Sequence, residues 1–178
     1  FVESEEGRYI IFLGRTGTDR LRSKGENFSA AFVEEIVLGC EGVVNCVVIG
    51  IPHVDSTEND NPIYIVEVED PSRFDVSGLY GFCSRKVPSY ALPGYIRVMG
   101  ELPKTDTQKV RKPVLLHEFI ERTPVTDVNE NDLIYSVKGG VLEEFTTPEY
   151  RYEMDRCTDP MVRSRFAAVT RRQDLFKE

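Results

Sequence analysis

The chain has 178 residues and a formal net charge of −8, from 22 Lys and Arg against 30 Asp and Glu. Its 40% hydrophobic content can bury one ordinary core or two small ones, and no overall basic field is present to attract nucleic acid. No apolar run approaches the length of a membrane span and no signal-peptide pattern is present. Cys40, Cys46, Cys83 and Cys157 show neither CxxC spacing nor a nearby histidine pair, so zinc is not expected and reduced thiols in a cytoplasmic setting are. Beginning at Phe1 and not at methionine, the chain is expected to be a piece of something longer.

In chain order, "GRYIIFLGRTGTDRLRSKGEN" predicts a strand over about Tyr9 to Leu13, a Gly/Thr-rich break and a short polar strand. Ser29 can cap a helix in which Phe32, Val33, Ile36, Val37 and Cys40 share one face, with Glu34 and Glu35 outside it and Gly39 and Gly42 ending it. The β-rich runs "VVNCVVIGI" and "IYIVEVED" flank a polar loop carrying His53, and Glu67 and Glu69 alternate with Val66 and Val68. Asp75 caps a second helix with Val76, Leu79, Tyr80 and Cys83 on one face. A proline-bounded turn leads to a third strand around Tyr95 to Met99.

The expected class is α+β: a small mixed sheet of about three strands with two helices on one face, an N-terminal strand and a C-terminal hairpin-helix extension. "RTPVTDVNEND" has the composition of a linker, "LIYSVKGGVLEEF" reads as a hairpin turning at Gly139-Gly140, and Thr147-Pro148-Glu149 reads as a helix start. "MVRSRFAAVTRRQDLFKE" predicts a basic, weakly amphipathic helix whose arginines read first as a solvated face and second as a contact for an acidic partner. His53 and His117 read as loop and surface residues.

Two segments exceed what folding requires. In "GRTGTDRLRSKGENFS", Arg15 follows a strand and Gly25 sits in a turn just before the capped helix, where glycine permits positive φ or close approach of backbone to a ligand. Neither GxGxxG nor GxxxxGK[ST] is present. In "LPKTDTQKVRK", proline pre-sets a turn and Thr-Asp-Thr can bond to its own backbone, holding lysine on a firm, exposed loop. A lysine held this way suits a point-charge role at phosphate or carboxylate oxygens, and Lys104, Lys109 and Lys112 are all candidates.

Taken together, "GRTG…KGENFS…VEE", "VPSYALPGYIRV" and "ELPKTDTQKVRK" resemble the C-terminal small domain of adenylate-forming enzymes, the superfamily of acyl-CoA synthetases, luciferases and peptide-synthetase adenylation domains. "RTG…KGEN.S" and "LEEFTTPEY" are similar to its very-long-chain acyl-CoA synthetase, fatty-acid transport protein and carnitine-CoA ligase branch, and the resemblance covers about residues 7 to 154. It implies residues 1–14 as the end of a large N-terminal domain and hinge strand, 15–118 as a mobile lid, 119–131 as linker and 132–178 as an extension.

The reaction so implied has two steps. A carboxylate attacks the α-phosphate of Mg·ATP to give acyl-adenylate and pyrophosphate, and the thiol of coenzyme A then displaces AMP. Lys109 matches the catalytic lysine of the first step, Arg15 a nucleotide contact, and Gly25, Glu26 and Asn27 the loop that swings in for the second, the glycine leaving room for pantetheine. The sequence departs from the pattern in carrying Gly14 where aspartate is usual and in being one residue longer between Arg15 and Gly25. Counting from Arg15 puts the hinge at Gly17, and counting back from Gly25 puts it at Thr18 and Asp19. Phe32 stands where relatives often carry glutamate, which removes the capping box.

The missing large adenylation domain is the implied partner, with coenzyme A and a carboxylic acid. Neither nucleic acid nor a metal site is implied, and membrane association would come from regions outside this chain. Alone, the chain is expected neither to bind ATP tightly nor to turn over. The alternatives are a non-catalytic interaction module with the lid fold, or the lid of a ligase that loads a carrier protein.

Overall fold

The computed structural model describes residues 2–4, 7–9, 19–53, 55–56, 58–121, 133–144 and 157–171. A short antiparallel pair, β1 (Val2–Ser4) and β2 (Gly7–Tyr9), is followed by a hairpin of β3 (Arg20–Ser23) and β4 (Glu26–Ser29). The main sheet has five strands in sequential order: β5 (Val43–Pro52), β6 (Asp60–Val68), β7 (Tyr95–Met99), β8 (Leu133–Lys138) and β9 (Val141–Glu144). All neighbours are antiparallel except β6 and β7, which run parallel. A parallel pair needs a crossover, and a 3₁₀ turn (Pro71–Arg73) with helix α2 (Val76–Lys86) supplies it.

The apolar runs of β5 and β6 have a direct cause: both faces of the sheet are covered. Cys46, Val48, Tyr64 and Val66 face a cluster with Val33 and Val37 of α1 (Ala30–Leu38) and Val76, Leu79 and Cys83 of α2. Val47, Ile49, Ile51, Ile63 and Ile65 face a second cluster with Leu115, Leu116 and Phe119 of α3 (Lys112–Glu121) and Val162 of α4 (Pro160–Arg171). A branched side chain buried this completely contributes about 1.5–3 kcal/mol.

The α+β class holds, but the sheet is larger than the expected three strands, because the 133–144 hairpin joins its edge and is not a separate appendage. Its Gly139 and Gly140 take φ of +59° and +86°, the left-handed pair that a two-residue hairpin turn requires. The second helical layer, α3 and α4, adds to the expected two helices on one face. Helix α3 had no forecast, and the proposed helix start at 147–149 lies outside the described residues.

The helix caps follow the expectation unevenly. Asp75 accepts from the Gly78 N–H at 2.9 Å. Ser29 occupies the N-cap of α1 without a side-chain cap bond, and the Ala30 N–H donates instead to the Asp19 carbonyl at 2.9 Å. Phe32 is exposed and not on the core face. Glu34, expected outside, turns inward, and its carboxylate accepts from the Val48 N–H at 2.8 Å.

Candidate functional site

The segment 102–112 is stitched to itself and to the sheet. Lys104 and Val110 form an antiparallel bridge, and the Arg111 N–H donates to the Pro103 carbonyl at 2.8 Å. Inside this frame the Thr105 N–H donates to the Lys109 carbonyl at 2.8 Å, and the Lys109 N–H donates to Thr105 Oγ1 at 3.2 Å. Thr107 Oγ1 lies 3.0 Å from Thr105 Oγ1. Gln108 takes φ of +63°, which turns the chain sharply just before Lys109. Leu102, wholly buried in the second cluster, roots the segment.

The three lysines have different fates. Lys104 Nζ lies 3.2 Å from Glu67, whose side chain is nearly buried on β6 and not exposed as the strand alternation suggested. Lys112, another of the candidates, bridges Asp19 at 3.2 Å and Glu34 at 2.8 Å. Lys109 is exposed, and among the described residues its amine has no hydrogen bond or ion pair. Two anchored cations thus bracket a free one on a short, internally bonded loop.

Residues 24–27 form the tip of the β3–β4 hairpin. Gly25 has φ of +85° and Lys24 φ of +50°, so the turn needs the left-handed conformation at both positions. A Cβ at Gly25 would meet nothing within 4 Å, so within this chain the reason for glycine is backbone conformation and not steric closeness. The Gly25 N–H donates to Asn59 Oδ1 at 3.0 Å, and Lys24 Nζ donates to the Ser89 carbonyl at 2.9 Å. Glu26 and Asn27 are exposed beside it. Lys24 also lines a groove of about 630 Å³ with Tyr80, Leu92, Pro93, Gly94 and Val137.

Asp19, the one hinge candidate among the described residues, is tied to the domain twice, through its carbonyl to Ala30 and through its carboxylate to Lys112. Arg15, Gly17 and Thr18 lie outside the described residues. No hydrogen bond or ion pair joins Lys109 to the 24–27 turn among the described residues, so the chain presents the two candidate elements on separate turns.

Sequence reasoning passed over the residues that hold these turns. Asn59 and Asp60 gave no motif signal, because their hairpin partners lie 34 and 38 positions away. Asp60 Oδ2 accepts from the Arg22 N–H at 3.0 Å, and Asp60 Oδ1 lies 2.7 Å from the guanidinium of Arg165. Burial pushes the Asp60 carboxyl above the usual carboxylate value, against the smaller downward pull of Arg22 and Arg165. The arginine face of α4 is therefore not wholly solvated. Among the described residues no three His, Cys, Asp or Glu side chains are grouped to hold a metal ion.

Residues 33–109 match the AMP-binding enzyme C-terminal domain family. Over 62% of its length the chain is 36% identical to a steroid-22-oyl-CoA synthetase of Rhodococcus jostii, and over 69% it is 32% identical to long-chain fatty acid transport protein 5 of Mus musculus. It spans about a fifth of those relatives, 20% and 17% of their lengths. The fold is also that of the ATP-bound MatB structure from Rhodopseudomonas palustris, with TM-score 0.51 and 25% identity over 58% of this chain and 20% of that one. No helix among the described residues is long and apolar enough to cross a membrane.

Proposed function

We propose that this chain is the mobile C-terminal domain of an AMP-forming acid–thiol ligase, one that activates a carboxylic acid as its acyl-adenylate and passes it to coenzyme A. The observation that carries the reading is the availability of Lys109. Of three lysines in one loop, two are neutralised by carboxylates and the third stands unpaired on a turn closed by Thr105. In the adenylation pose its ammonium bridges the substrate carboxylate and the α-phosphate of Mg·ATP, where negative charge accumulates as the P–O bond forms. A cation delivered in one fixed orientation to a water-poor cleft stabilises that charge without reorganising. The 24–27 turn, held by Asn59, serves the second step after the domain rotates, and Arg15 contacts the nucleotide. Asp19 is bonded into the domain core, so the rotation falls at or before it, among Gly17, Thr18 and Asp19.

The large N-terminal adenylation domain is the partner in both poses. A steroid or long-chain fatty acid is the substrate class, supported by the similarity to the steroid and fatty-acid relatives. The carrier-protein reading and the adaptor reading have less support, since an adaptor has no use for an unpaired, stitched lysine.

The test is made on the full-length protein. Lys109→Ala should slow acyl-adenylate formation, followed by pyrophosphate exchange, by roughly 10²–10³-fold. Thioester formation from supplied acyl-adenylate should stay near normal. Equal loss in both half-reactions, or loss in neither, refutes the role given to Lys109.

A further inference from the structure

The last described helix, α4, carries a residue whose bonds lead to the candidate thioester turn. Arg165 reaches three acceptors at once: Asp60 Oδ1 at 2.7 Å, the Asn59 carbonyl at 2.9 Å and the Ser56 carbonyl at 3.4 Å. These belong to the connection between β5 and β6 and to the first residue of β6. The same two residues, Asn59 and Asp60, hold the β3–β4 hairpin through the Gly25 N–H and the Arg22 N–H, each at 3.0 Å. Leu21 and Phe28 seat that hairpin in the α1–α2 cluster, while Val162 seats α4 in the cluster on the other face of the sheet. The connection is therefore gripped from both faces, and Arg165 is the grip on the α4 side.

We infer that Arg165 is a positioning residue, and that α4 acts through Asn59 and Asp60 to fix the pose of the 24–27 turn. A planar guanidinium can hold a carboxylate and two carbonyls together, whereas an ammonium has no such fork. The loop between His53 and Asp60 has its own turn bonds, with Ser56 Oγ accepting from the Asn59 N–H at 3.1 Å. Those bonds shape the loop, and Arg165 ties it to the body of the domain. Activity consequences rest on the proposed role of the turn; the positioning itself does not.

Amide hydrogen exchange in the 178-residue chain decides it. Arg165→Met should accelerate exchange of the Gly25 and Arg22 amides by roughly tenfold or more, as expected when a local opening loses a charge-assisted bond. The Val48 amide, held by Glu34 elsewhere, should not change. No acceleration at Gly25 and Arg22, or equal acceleration at all three, overturns the inference. Arg165→Lys restores a charge facing Asp60 and should recover part of the Arg22 protection. Full recovery at both Arg22 and Gly25 shows that a point charge suffices and overturns the role of the guanidinium fork.

In the full-length ligase, Arg165→Met should slow thioester formation from supplied acyl-adenylate several-fold while pyrophosphate exchange persists. An equal fall in both refutes transmission to the turn. Gly25→Leu run in parallel separates the two ideas: if it leaves the thioester step untouched, the role of the turn fails while the exchange data still decide on Arg165.

Discussion

Replacing Lys112 with methionine removes one ammonium and keeps most of the stem. That ammonium serves Glu34 at 2.8 Å and Asp19 at 3.2 Å, with the side chains of Lys112 and Glu34 only 18% and 17% exposed. Deleting one partner of a fully buried pair costs about 3–5 kcal/mol, because the remaining charge stays behind uncompensated. Here some solvent reaches all three groups and Glu34 keeps the Val48 N–H, so the expected loss is reduced to about 2–3 kcal/mol. For a chain of this size that corresponds to a fall in Tm of roughly 4–12 °C.

Urea unfolding of the 178-residue chain measures the loss directly. Glu34→Gln combined with Lys112→Met should cost less than the sum of the single changes, since the stranded carboxylate is gone. A Lys112→Met cost below about 0.5 kcal/mol, the range of an exposed ion pair, would refute the claim that this lysine is structural.

Other outcomes follow from the same geometry. Gly25→Ala forces a side chain into φ of +85° with open space around it, so it should cost about 1–2 kcal/mol from backbone strain alone, read in the same urea experiment. The Asp60 carboxyl sits above its ordinary value of 3.8, so its contribution to stability is present below that pH and lost as pH rises through the raised value. Asp60→Asn should flatten that part of the pH–stability curve, and an unchanged curve contradicts the assignment. Burial pushes the Cys83 thiol up to about 12 and the Cys46 thiol well above its usual value, so a thiol reagent at pH 8 should spare both in the folded chain and modify both in urea.

Periodicity located what depends on near neighbours. The Val33 and Val37 face of α1, the Asp75 cap and the glycine pair at 139–140 are all set within a few residues, and each is where the pattern put it. The charged residues that turned inward were not legible. Glu34 and Glu67 read as solvent-facing because lysine partners 78 and 37 positions away are invisible to a local pattern. Arg97, wholly buried in β7, is matched by Glu118 of α3 at 2.9 Å for the same reason. The turn around Lys109 was legible as a turn, since Pro103 and three polar residues announce it. Which of its lysines is free required knowing where the carboxylates are.

The placement of β8 has a consequence for synthesis. Strand β7 is complete at Met99, yet the strand that pairs with its outer edge is not made until residues 133–138. At typical translation rates of about 5–20 residues per second, the nascent domain spends seconds with Tyr95 to Met99 presenting unpaired backbone groups. A chain ending at Glu121 keeps every proposed chemical residue from Arg15 to Lys109 but leaves the edge open for good, so it should aggregate where the 178-residue chain stays monodisperse.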